Sequence, residues 1–148
     1  MSIAVSSPSV TKTQTRMGNA FSGLSILFLL FDAVIKLIPI AAVTEGFSKL
    51  GYPPGIERPI GALLLTCVLL YVVPRTSILG AVLLTGYLGG AVNTHVRIAD
   101  PLFTHTLFPV YVGAFAWAGL YLRNPRLRIL FLAETQSRAH EQAKWNAR

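Results

Sequence analysis

The sequence predicts an all-α integral membrane protein, a four-helix bundle of four transmembrane spans with both termini cytoplasmic. Three observations predict it. Apolar residues make up 53% of the 148 residues and charged residues only 13%, about half the roughly 25% of an ordinary soluble domain. Three long segments, Pro59 to Pro74, Thr76 to Val96 and Thr106 to Leu122, carry no Asp, Glu, Lys or Arg. Those segments are also apolar all round, whereas a helix at a water-facing surface needs a polar stripe recurring every turn.

Residues 1–18 are rich in Ser and Thr, with Lys12 and Arg16, and read as a disordered N-terminal tail. They are not a signal peptide, because the apolar stretch behind them is too long and is interrupted by Asp32 and Lys36. The four-span bundle covers residues 19–124. Its first span runs from about 19 to 43, long enough to cross with some tilt. Its second, about 57 to 73, is short and starts at Glu57-Arg58-Pro59, where a proline in the first turn and an acid at the positive helix end both favour initiation. Pro74-Arg75 turns the chain into span three, about 76 to 96, and 99–105 leads into span four, about 106 to 122. Residues 125–148 form a basic C-terminal tail.

Orientation follows from Lys and Arg near the span ends. Lys12, Arg16, Arg75, Arg123, Arg126 and Arg128 fall on one side, against Lys49, Arg58 and Arg97 on the other. The richer side is cytoplasmic, which makes this a multi-pass protein of the cell inner membrane. The net charge of +7 is therefore mainly a topological signal, and no recognition motif for nucleic acid accompanies it.

A charge at the centre of a span costs about 2.5–3.5 kcal/mol even on the mildest insertion scale, so such residues face the interior and are functional by default. Asp32 and Lys36 are four apart on one helix face, acid before base, the favourable order for a pair. They are the candidate catalytic residues; a structural ion pair is the competing reading. In span three, Gly86, Gly89, Gly90, Asn93 and Arg97 fall within an arc of about 80° at 100° per residue. The glycines should admit a neighbouring backbone, Gly86 and Gly90 forming a small-xxx-small pair, and Asn93 and Arg97 continue the line outward. His95 falls nearly opposite. Glu57, Arg58, His95, Arg97 and Asp100 are expected at the outer mouth of the bundle with Lys36, above Asp32. Glu57, Asn93, His95, Arg97, Asp100 and Trp117 are thus the candidate ligand-binding residues, for a small lipophilic molecule with its polar end outward. Interhelical glue for Asn93, an interface anchor for Arg97 and an interface belt for Trp117 are the alternatives.

No metal site and no cofactor motif is evident. His95 and His105 are ten positions apart at the rim, which does not suit haem. The lone Cys67 excludes an intramolecular disulfide and C-x-x-C chemistry and reads as an apolar filler.

The strings LGYP (50–53), IGALLL (60–65), VPRTSILGAVLLTGYLGGAVNTHVRIADPLF (73–103) and WAGLYLRNPRLR (117–128) resemble the DoxX-like family of small bacterial membrane proteins. The resemblance implies a four-helix membrane bundle and, for some relatives, a link to quinone or redox processes; it assigns no catalytic residue. Two functions lead, and an enzyme is compatible with the first; a transporter or proton channel is a third reading, for which four spans and one ion pair are little machinery unless the protein oligomerises. One is a membrane protein that binds or converts a small lipophilic ligand, a quinone among the candidates, by redox-linked or acid–base chemistry. The other is a non-catalytic accessory subunit or assembly factor whose partner is another membrane protein or a second copy.

Overall fold

The computed structural model describes residues 11–38, 40–125, 127–128, 142 and 145–146. Most of both tails, including Arg138, Lys144 and Arg148, lies outside the described residues, as do Pro39 and Arg126. Among the described residues the protein is all-helical, with five α-helices and no strand.

Helix α1 spans Lys12–Leu37. It starts earlier than expected, so residues 12–18 belong to a helix and not to an irregular tail. The reason is a capping box: the Thr11 hydroxyl accepts the Gln14 N–H at 3.3 Å, and the Gln14 side-chain oxygen accepts the Thr11 N–H at 3.2 Å. Two otherwise orphaned donors are satisfied at once. The other end of α1 also departs from expectation. A single span to Val43 is replaced by a break after Leu37 and a separate helix α2, Ala41–Lys49. A proline at 39 disfavours helical backbone at the residue before it, and Ile38 is extended at φ −92°, ψ 132°. The connection between the first two expected spans, 44–56, thus starts as helix, through Lys49.

Helices α3, Glu57–Val72, and α4, Ser77–Arg97, are joined by a short turn in which the Thr76 hydroxyl donates to the Leu70 carbonyl at 2.8 Å. A π-helical turn, Leu102–Thr106, leads to α5, Phe108–Arg123, with Pro109 in its first turn. In the packing, α1 touches α3 and α5, and α4 touches α3 and α5. The four long elements therefore close a ring, with α2 attached against α3. Two of them, α1 and α4, are long and apolar enough to cross a membrane. Many large apolar side chains point outward, among them Leu27 at 67% and Phe31 at 62% exposure.

The ring is held by close backbone crossings. A methyl at Gly80 would stand 2.3 Å from the Tyr71 amide nitrogen. One at Gly119 would stand 2.4 Å from Ser22 Oγ and one at Gly61 2.8 Å from Lys36 Cβ. Gly86, Gly89 and Gly90, expected to seat a neighbouring helix, have no protein atom within 4 Å of that position. The small-residue contacts lie elsewhere, at Gly61 against α1, Gly80 against α3 and Gly119 against α1.

Buried Tyr71 ties three helices together. Its hydroxyl donates to the Ala116 carbonyl at 2.7 Å and accepts from Ser22 Oγ at 3.0 Å. The Arg123 guanidinium lies 5.0 Å from its ring centroid and donates to its carbonyl at 3.3 Å. Leu29, Ala33, Leu64, Val68, Leu84, Ala116 and Leu120 fill the remaining core.

Candidate functional site

Breaking α1 at Leu37 and sending α2 aside leaves space at the end of the bundle where α1 finishes, α3 begins and α4 finishes. That space is an open cavity of about 970 Å³, near the top of the usual range of ligand pockets of about 300–1,000 Å³. Helix α1 contributes Asp32, Ile35 and Lys36. Helix α2 and the turn behind it contribute Phe47, Lys49, Leu50 and Tyr52. Helix α3 contributes Ile60, Leu63 and Cys67, and α4 a broad strip from Val82 to Ile98; Asp100 and His105 complete the rim.

Asp32 and Lys36 form the ion pair expected from their spacing, and both line the cavity. Lys36 is well covered at 14% side-chain exposure and Asp32 is more open at 27%, so the carboxylate is the more available of the two. The His95 Nδ1–H donates to Asp100 Oδ2 at 2.6 Å. The backbone closes the same loop, with the Asp100 N–H on the His95 carbonyl at 3.1 Å. This turn requires Ala99 at φ 56°, a left-handed conformation that costs a residue with a Cβ about 1–2 kcal/mol. The strain folds the acid back onto the imidazole, and among the described residues Nε2 has no hydrogen-bond partner. The His105 ring stands 6.2 Å from that of His95, centroid to centroid, and its Nδ1 is 2.9 Å from the Thr104 hydroxyl.

On the α2 side, Tyr52 stacks on Phe47 with centroids 5.6 Å apart, and its hydroxyl reaches Thr94 Oγ1 at 2.9 Å. Arg97 donates to the Leu50 carbonyl, and its guanidinium would meet a Cβ on Gly51 at 3.2 Å. Gly51 has φ 77°, so both space and backbone conformation favour glycine there.

The structure brings together Asp32, Lys36, His95 and Asp100 from the residues singled out in the sequence. The others stand apart. Arg97 does not line the cavity but anchors the turn that covers it. Asn93 is exposed on the flank of α4, and Arg58 is exposed at the start of α3. Glu57 is buried behind the cavity wall; its Oε1 accepts from Thr44 Oγ1 at 3.4 Å and its Oε2 has no partner among the described residues. Trp117 faces α4, donating to Thr85 Oγ1 at 2.9 Å, and is not a wall of the cavity. Sequence reasoning missed Tyr52, Tyr87 and Thr94 as lining residues and took Cys67 for filler only. The expected polar arc on α4 was misplaced as well as too narrow: the cavity strip takes in Gly86, Tyr87, Gly90, Ala91, Thr94 and His95 and leaves out Gly89, Asn93 and Arg97.

The lining carries two carboxylates, Asp32 and Asp100, and two ammonium groups, Lys36 and Lys49, so its formal charges balance. Hydroxyl and imidazole groups offer both donors and acceptors, and most of the remaining surface is apolar. Such a wall suits an amphipathic molecule with a polar, uncharged end. Among the described residues no group of three His, Cys, Asp or Glu side chains is disposed to hold a metal ion.

A family model described as the DoxX-like family matches residues 20–119. No curated protein and no solved structure matches the chain.

Proposed function

The chain belongs to the DoxX-like family, and from that premise we propose that it is a multi-pass inner-membrane protein that binds a small lipophilic ligand in the cavity between α1, α3 and α4. In this reading α1, α3, α4 and α5 cross the bilayer, both termini are cytoplasmic, and the cavity opens toward the non-cytoplasmic side. The observation that carries it is the meeting of Asp32, Lys36, His95 and Asp100 around one cavity of about 970 Å³ in a bundle whose outer surface is apolar. Ionisable groups inside a membrane bundle are retained at a cost in stability and mark sites of ligand or proton handling.

Asp32 and the His95–Asp100 couple are the groups able to exchange a proton with a bound head group, which gives acid–base chemistry its means. Quinone-linked redox chemistry fits the same amphipathic cavity, with electrons supplied by a partner protein. Lys36 holds the carboxylate of Asp32 in place, and Tyr52 and Arg97 keep the covering turn closed.

The test is mass spectrometry of lipophilic molecules retained by the full chain purified in mild detergent, repeated for Asp32→Asn. The wild type retains a defined species, and the variant retains about tenfold less, since one hydrogen bond to a charged group is worth about 1.5–3 kcal/mol. A stable protein partner with no lipophilic species would favour the accessory-subunit reading instead.

A further inference from the structure

Part of the cavity's apolar lining is exposed: Leu63 of α3 and Val82 and Leu83 of α4 line it at 56%, 52% and 41% exposure. Beside them, Gly86 and Gly90 line it with open space where side chains would stand. The polar lining groups Lys49, Tyr52, Thr94, His95, Asp100 and His105 gather at the end where α1 finishes. The lining at Leu63, Cys67, Val82 and Leu83 is apolar; Leu63 and Cys67 lie near the middle of α3, and Val82 and Leu83 in the first half of α4. The cavity is therefore polar at one end, and toward the other its apolar lining on α3 and α4 stays exposed.

We propose that the ligand is a single-chain amphiphile with an uncharged hydroxyl or carbonyl head, whose tail leaves the cavity into the bilayer through a gap between α3 and α4. The head lies between Asp32, His95 and Tyr52, where paired charges favour a neutral group that both donates and accepts hydrogen bonds. The tail passes over Gly86 and Gly90 between Leu63 and Leu83. Gly86 and Gly90 are thus specificity-determining positions: their missing side chains keep the gap open. The inference rests on the ligand-binding reading above and adds the chemical class of the ligand and its route.

The test compares 4-butylphenol, short enough to lie wholly within the cavity, with 4-pentadecylphenol, whose tail must leave it. Binding of each to the detergent-solubilised full chain is read by native mass spectrometry. The wild type binds both, the long-chain probe more tightly. The Gly86→Leu/Gly90→Leu variant weakens the long-chain probe by about tenfold, the worth of roughly two buried methylenes, and leaves the short-chain probe within about threefold. Gly89→Leu, one position off the cavity strip, leaves both unchanged. Leu83→Trp narrows the same gap from its rim and gives the same selective loss should the double variant not fold. Equal loss of both probes, or loss of neither, in whichever gap variant folds would overturn the side route alone. A wild type that binds neither probe would overturn the ligand-binding reading together with it.

Discussion

The Tyr52 hydroxyl donates to Thr94 Oγ1 across 2.9 Å, which latches the turn after α2 to the C-terminal end of α4. The direction of the bond is set by Thr94, whose own hydroxyl hydrogen is engaged with the Gly90 carbonyl at 3.0 Å. This latch, with Arg97 on the Leu50 carbonyl, fixes the wall that α2 gives to the cavity. Tyr52→Phe keeps the ring on Phe47 and removes only the latch. Unfolding stability should fall by about 0.5–1.5 kcal/mol, the net worth of one hydrogen bond, and a bound probe should dissociate faster. Denaturation in detergent and probe release kinetics check the two parts.

Asp32 and Lys36 are partly covered, so breaking the pair leaves an uncompensated charge. Asp32→Asn should destabilise the fold by about 2 kcal/mol, below the 3–5 kcal/mol of a fully buried pair. Asp32→Asn with Lys36→Met should recover most of that loss while still failing to retain the ligand. A double-mutant cycle on stability, run beside retention, separates the structural part of the pair from the functional part.

Gly80 and Gly86 sit in the same helix and should respond oppositely to alanine. At Gly80 a methyl would collide with the Tyr71 backbone at 2.3 Å, and the fold should lose more than about 3 kcal/mol, because backbone cannot step aside as a side chain can. At Gly86 nothing stands within 4 Å, so alanine should stabilise by about 0.5–1 kcal/mol through helix propensity. Thermal unfolding of the two variants in one detergent gives the comparison.

Ala99 at φ 56° carries strain that glycine does not. Ala99→Gly should gain up to about 1 kcal/mol from relief of that strain, less what the unfolded chain gains in freedom, with the His95–Asp100 bond intact. Asp100→Asn should instead leave stability within about 1 kcal/mol and change the imidazole's nitrogen-15 shifts, read by NMR.

Much of this was legible in the residues. Three uncharged segments foretold apolar helices, and the four-residue spacing of Asp32 and Lys36 foretold their pairing, because both signals are local. Most of the departures have non-local causes. The break near residue 38 is the exception: the proline at 39 marks it locally, but the apolar run reads on to Val43 and hydropathy carries no record of a bend. The Gly86 and Gly90 pair has the spacing of a helix contact, yet spacing does not say whether a neighbour arrives. The place of His95 depends on a cavity wide enough to span more than half of α4's circumference, which no single-helix projection contains. Tyr52 meets Thr94 only because α2 folds aside, so neither residue stood out beforehand.

The central claim is that this cavity holds a specific lipophilic molecule in the membrane. Placing a photoreactive benzoylphenylalanine at position 87, inside the cavity, and at position 111, on the exposed face of α5, tests it most directly. After illumination of intact membranes, mass spectrometry should find one defined single-chain species attached at 87 and mixed bulk phospholipid at 111. The same bulk phospholipid at both positions, or no lipid adduct at 87, would contradict the account.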